Sequence, residues 1–132
     1  MKIPYGRQSI NQADVNAVLK VLNSDWLTQG PSVESFERAA MRHSGATFVC
    51  AVNSATSALH LACLALELQD GDWLWTSPNT FVASANCGLH CGAKVDFVDI
   101  DPETYNLCDK ALEAKLKKAK KENRVPKTVV PV

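Results

Sequence analysis

From residue 47 onward, short apolar runs alternate with longer stretches of helical period, and this alternation leaves few folds open to the chain. Residues 47–52, 73–76, 94–98 and 127–132 read as strands. Residues 54–68, 80–90 and 109–122 read as the helices between them. Asp70-Gly71-Asp72 and Asp99-Ile100-Asp101-Pro102 supply turns. Strands separated by helices of this length cannot close as hairpins, so they pair in parallel and the helices cover the sheet. The expectation is an α/β fold, a three-layer α/β/α arrangement with a mainly parallel sheet.

Two helices precede the alternation. The first is predicted over residues 11–23, with Ser9 and Gln12 as a capping box and Val15, Val18, Leu19 and Leu22 on one face. The second begins near Ser32, carries Val33, Phe36, Ala40 and His43 on one stripe, and stops at Gly45. Residues 1–45 therefore read as a helical N-terminal segment and residues 46–132 as a βαβαβαβ unit. The 132 residues suffice for one domain with a real core but not for two. The helix at 54–68 is apolar nearly all round and is expected to be buried on most sides. Trp73 and Trp75 flank Leu74 as in a buried sheet. The chain stops at Pro131-Val132 with no turn, cap or polar tail after the strand, which reads as an unfinished sheet.

Charge narrows the function. Lys plus Arg and Asp plus Glu both number 14, so no long-range field draws the chain to nucleic acid or an anionic membrane. No apolar run is long enough to span a bilayer, and the first residues lack a signal-peptide core. The five cysteines, an odd number mostly inside apolar segments, read as reduced cytosolic thiols that pack as small hydrophobes. Cys87 and Cys91 share a helix face, but two further ligands are lacking, so no metal site is expected. His43, His60 and His90 read as structural. The basic run at residues 115–121 reads as a solvated helix face.

Chemistry concentrates at two junctions. Asn53-Ser54-Ala55-Thr56-Ser57-Ala58-Leu59 lies where a strand hands over to a helix. The first helical amides have no partner there, small residues admit an anion, and hydroxyls add donors. This predicts a phosphate cup at the carboxyl edge of the sheet. The same residues would also serve as a plain helix cap with no ligand. Neither Gly-x-Gly-x-x-Gly nor a P-loop sequence is present, which weakens the nucleotide-binding alternatives. One crossover later, Ser77-Pro78-Asn79-Thr80-Phe81 offers an aromatic on the same edge. Phe81 can stack on a planar ligand or simply join the core.

These segments, together with Gly71-Asp72, residues 76–86 and 92–102, the opening Ile3-Pro4-Tyr5 and the loop Trp26-Leu27-Thr28-Gln29-Gly30-Pro31, resemble the DegT/DnrJ/StrS sugar aminotransferases over essentially the whole chain. The resemblance implies a partial large domain of the type I aminotransferase fold and the cofactor pyridoxal 5'-phosphate. It implies that Thr56 and Ser57 hold the cofactor phosphate and that Phe81 stacks on the pyridine ring. Tyr5, Asp25, Trp26, Leu27, Thr28 and Ala55 are implied along the nucleotide-sugar site. The activity implied is transfer of an amino group from glutamate to C4 of a UDP-4-keto-6-deoxy-hexose, of the pseudaminic-acid type or another surface sugar, in a cytoplasmic homodimer. The lysine that carries the cofactor in this family, the aspartate facing the pyridine nitrogen and the small domain fall beyond residue 132, so the chain alone is expected to be inactive. A sugar dehydratase of the same superfamily, or a non-catalytic remnant, are the alternatives. Exposed apolar surface and open sheet edges are expected to make the chain self-associate.

Overall fold

The computed structural model describes Pro4 and residues 6–132, and Tyr5 lies outside the described residues. The chain forms two compact units, Met1–Ala51 and Val52–Val132.

The first unit holds α1 (Gln12–Leu22) and α2 (Pro31–Ser44). Asn11, not Ser9, caps α1: its side chain accepts from the amides of Ala13 and Asp14, and Asp14 accepts from the Asn11 amide. The capping box is therefore Asn11–Asp14, two residues later than the sequence suggested, because Asx residues cap as well as Ser and the box needs only the N3 acceptor. Pro31 opens α2, where its missing N–H costs nothing. Gly45 ends α2 in the left-handed conformation, its amide donating to the Met41 carbonyl. The apolar stripes form as predicted, but Val15, Val18, Leu19, Leu22, Val33 and Phe36 are all exposed.

The second unit holds α3 (Ala55–Ala65), β1 (Trp73–Thr76), α4 (Ala83–His90), β2 (Lys94–Phe97), α5 (Asp109–Lys121) and β3 (Thr128–Val130). The sheet is wholly parallel, in the order β2-β1-β3. The register pairs Leu74 with Val95 and Thr128, and Trp75 with Asp96 and Val129. Alternation then sorts side chains to two faces. Leu74, with Val95 and Val130, packs against Cys63 of α3 and Cys87 of α4. Trp75 and Val129 pack against Ala111, Leu112, Leu116 and Ala119 of α5. This is the expected α/β/α sandwich.

Two expectations fail. Residues 47–52 form no strand: the segment has no ladder partner among the described residues, and extended backbone becomes a strand only by pairing. The first regular element of the second unit is therefore α3, and β1 is the central strand of three. Nor is α3 buried on most sides. Only Cys63 is buried, while Leu61 and Leu64 are exposed, because a three-stranded sheet presents too little surface to cover it. Both outer strands, β2 and β3, have an unpaired edge among the described residues.

All five cysteines are free. Cys63, Cys87 and Cys91 meet where α3 packs on α4. Burial, reinforced by the neighbouring Cys87, pushes the Cys63 thiol up to about 12, so it packs as an inert hydrophobe.

Candidate functional site

The start of α3 is open to solvent. Ser54 is the N-cap, and its hydroxyl accepts the Ser57 amide at 3.2 Å. The amides of Ala55 and Thr56 meet no acceptor among the described residues, so two orphan donors and the positive end of the helix dipole face outward. Thr56 is exposed, and its hydroxyl has no hydrogen-bond partner among the described residues. Ser57 is half-buried, and its hydroxyl donates to Asn53 Oδ1 at 3.1 Å while lying 3.0 Å from Ser54 Oγ. The three side chains of Asn53, Ser54 and Ser57 thus brace one another and leave the first two amides free. Ser54 is thus the helix cap, and it satisfies only one of the orphan amides.

The position of this helix start follows from connectivity. Residues 66–72 link the end of α3 to the start of β1, so α3 runs opposite to β1 and begins toward the end of the sheet where β1 stops. There the chain leaves β1 at Thr76, whose Oγ1 donates to the Val130 carbonyl at 2.8 Å. Ser77 follows, fully buried, and its Oγ accepts the Asn79 amide at 3.2 Å. Phe81 comes next. It is not a core residue: 74% of it is exposed.

The remaining sequence-nominated residues divide between the units. Ala55 lies at the open start of α3 in the second unit. Asp25, Trp26, Leu27 and Thr28 form an exposed loop in the first unit, between α1 and α2. That loop is held by Ser24, whose Oγ donates to the Val21 carbonyl and accepts the Trp26 amide. Gly30 has φ +86°, and a Cβ there would lie 2.9 Å from Trp26 Cβ, so only glycine lets the indole fold back over the loop. The sequence offers Asn53 as a possible cap of α3, and the structure makes it a brace for Ser54 and Ser57. The pairing of Thr80 with Ser84 was missed, although two hydroxyls four residues apart at a helix start could have signalled it.

A groove of about 440 Å³ lies on the opposite face of the sheet, beside α5. Trp73, Trp75, Asp96, Lys115, Lys118 and Arg124 line it. Four of its charges are paired: Lys115 bridges Asp96 at 2.7 Å and lies over the Trp75 ring, and Arg124 pairs with Glu122. Burial raises the Asp96 pKa, but the Lys115 ammonium and the Phe97 amide outweigh it and hold the carboxyl below its ordinary value. A depressed folded-state pKa means stability that is present above the unfolded value, about 3.9, and lost as pH falls through the folded one. Unfolding titrations between about pH 6 and pH 2 should show an acid loss that Asp96→Asn partly flattens. Half-exposure keeps the contribution to about 1 kcal/mol or less.

Residues 8–132 match the model of the DegT/DnrJ/EryC1/StrS aminotransferase family. The chain belongs to this family. It is 46% identical over 116 residues to a UDP-4-amino-4,6-dideoxy-N-acetyl-beta-L-altrosamine transaminase of Campylobacter jejuni, a match covering 88% of this chain and 30% of that protein. Among solved structures, a DegT DnrJ EryC1 StrS aminotransferase from Brucella abortus superposes with a TM-score of 0.81 at 31% identity, over 89% of this chain and 32% of that one. The PLP-form of the putative sugar aminotransferase Spr1654 from Streptococcus pneumoniae superposes with a TM-score of 0.79 at 32% identity, over 86% and 29%. The chain thus spans about 30% of the length of the curated relatives it matches. No helix among the described residues is long and apolar enough to cross a membrane.

Proposed function

We propose that the chain provides the cofactor-phosphate and nucleotide-sugar contacts of a pyridoxal-phosphate-dependent sugar 4-aminotransferase. The reaction is transfer of an amino group from glutamate to a UDP-4-keto-6-deoxy-hexose of the pseudaminic-acid or a related surface-sugar route, in a cytoplasmic homodimer. Family membership and the transaminase relative support the reaction class. The observation that carries the site is the pair of unpartnered amides at the open start of α3, beside the free hydroxyl of Thr56.

The residues present fit the coenzyme's phosphate. The amides of Ala55 and Thr56 and the Thr56 hydroxyl would donate to its oxygens, and the Ser57 hydroxyl would turn from Asn53 to add a further donor. Phe81, solvent-facing and apolar, would lie against the pyridine ring. Tyr5, the loop Asp25 to Thr28 and Ala55 would contact the nucleotide sugar. When bound, pyridoxal 5'-phosphate supplies the electron sink that amino transfer requires. None of the chain's own residues is assigned proton transfer. Incubated with glutamate and a nucleotide 4-ketosugar, the 132-residue chain is expected to form no amino sugar, and turnover would refute that part of the reading.

Pyridoxine 5'-phosphate is the suitable probe, since it lacks the aldehyde that would react with surface lysines. Binding to the chain, displaced by inorganic phosphate, is expected. Thr56→Val should weaken it about tenfold, the loss of one hydrogen bond to a charged group. Equal affinity of Thr56→Val and wild type in equilibrium dialysis would refute the cup.

A further inference from the structure

Phe81 presents a problem if its ring is to meet a planar ligand. With 74% of the residue exposed, no packing holds it, and a free aromatic side chain would lose rotamer entropy on binding. Its backbone, by contrast, is held with unusual care. The Phe81 carbonyl accepts the Ser84 amide at 3.0 Å. The Ser84 hydroxyl lies 2.8 Å from Thr80 Oγ1, on the other side of Phe81. Ser84 therefore grips the segment twice, through its amide and through its side chain, and Phe81 is enclosed in the loop between Thr80 and Ser84.

The grip is firm because Ser84 is only 7% exposed. A buried hydroxyl left unpaired costs about 1–3 kcal/mol, so the bond to Thr80 is its best option. Val82 occupies the N-cap of α4 and makes no capping hydrogen bond. At the upstream end, Thr76 ties the segment to β3 and Ser77 holds the Asn79 amide. The aromatic is thus carried on a backbone fixed at both ends, with only its own side-chain rotations left.

We propose that Thr80 and Ser84 are positioning residues whose hydroxyl–hydroxyl bond fixes the backbone from which Phe81 reaches the pyridine ring. This rests on the proposed role of Phe81 in stacking. It assigns a task to two residues outside the set proposed for the phosphate and the sugar, and it separates orientation of the ring from binding of the phosphate.

The test uses the whole chain and pyridoxine 5'-phosphate, with circular dichroism to establish folding of each variant. Stacking perturbs the absorption band of the bound probe, whereas phosphate contacts alone do not. Phe81→Leu should abolish the perturbation and weaken binding about three- to tenfold. Thr80→Val and Ser84→Ala, at saturating probe, should reduce the perturbation to about half or less while inorganic phosphate binds within about twofold of wild type. Thr80→Ser, which keeps the hydroxyl, should restore it. Hydrogen exchange at the Ser84 amide, read without any ligand, should accelerate about tenfold in Thr80→Val. A wild-type perturbation in both Thr80→Val and Ser84→Ala overturns the positioning role, and unchanged exchange refutes the grip itself. If exchange responds but the wild-type chain binds no probe that phosphate displaces, the cofactor reading has failed and the role falls with it.

Discussion

Leu74→Ala lowers the unfolding free energy by about 3–4 kcal/mol, the upper part of the range for deleting a fully enclosed leucine. Leu74 is 0% exposed and sits at the middle of the central strand, where α3 and α4 both close over it. The cavity left behind cannot collapse easily. Val95 and Thr128, its neighbours across the ladder, are fixed by backbone hydrogen bonds. On the helix side Gly88 already lies so close that a Cβ there would stand 3.1 Å from Leu74 Cβ. Small domains have only about 5–15 kcal/mol to lose, so this one change should remove a large part of the total. Chemical denaturation followed by far-UV circular dichroism measures it, and a loss below about 1.5 kcal/mol would mean that the α3–α4 layer repacks freely.

Trp75→Ala, on the other face, costs about 3–5 kcal/mol. Trp75 is 2% exposed and forms the floor on which α5 rests through Ala119. Its indole Nε1 is buried with no hydrogen-bond partner among the described residues. An orphan donor of this kind costs about 1–3 kcal/mol, which offsets part of what the ring contributes. Trp75→Phe removes the orphan and keeps most of the apolar area. It should therefore cost about 1 kcal/mol or less, far below the alanine change. Equal losses for the two variants would show that the N–H is satisfied in solution, by water or by a neighbour. The ratio of the two effects carries the argument, so it does not depend on the absolute stability.

Some of the molecule was written locally. Helix hydrogen bonds join residues four apart, so α2 could be placed to within a residue from its stripe and Gly45, and α5 from the spacing of Leu112, Leu116 and Ala119. β1 and its flanking turn were equally legible, since Asp70-Gly71-Asp72 ends one element and Trp73 to Thr76 begins the next. The open start of α3 was visible in Asn53 to Ser57, because orphan amides are a property of any helix end.

What residues far apart in the chain do to one another was not written there. The apolar segment 47–52 has the composition of a strand, yet a strand exists only through a partner, and none is present among the described residues. The stripes of α1 and α2 specify a face but not what covers it. Phe81 could have been core or surface until the Thr80–Ser84 bond and the burial of Ala83 turned α4 inward and left Phe81 out. The sequence by itself determined the family, through its motifs, and the existence and order of the helices, because helical bonds join near neighbours. Only the tertiary structure decided strand order, exposure and the bracing of the site, because ladder pairing and burial join residues that the chain holds far apart.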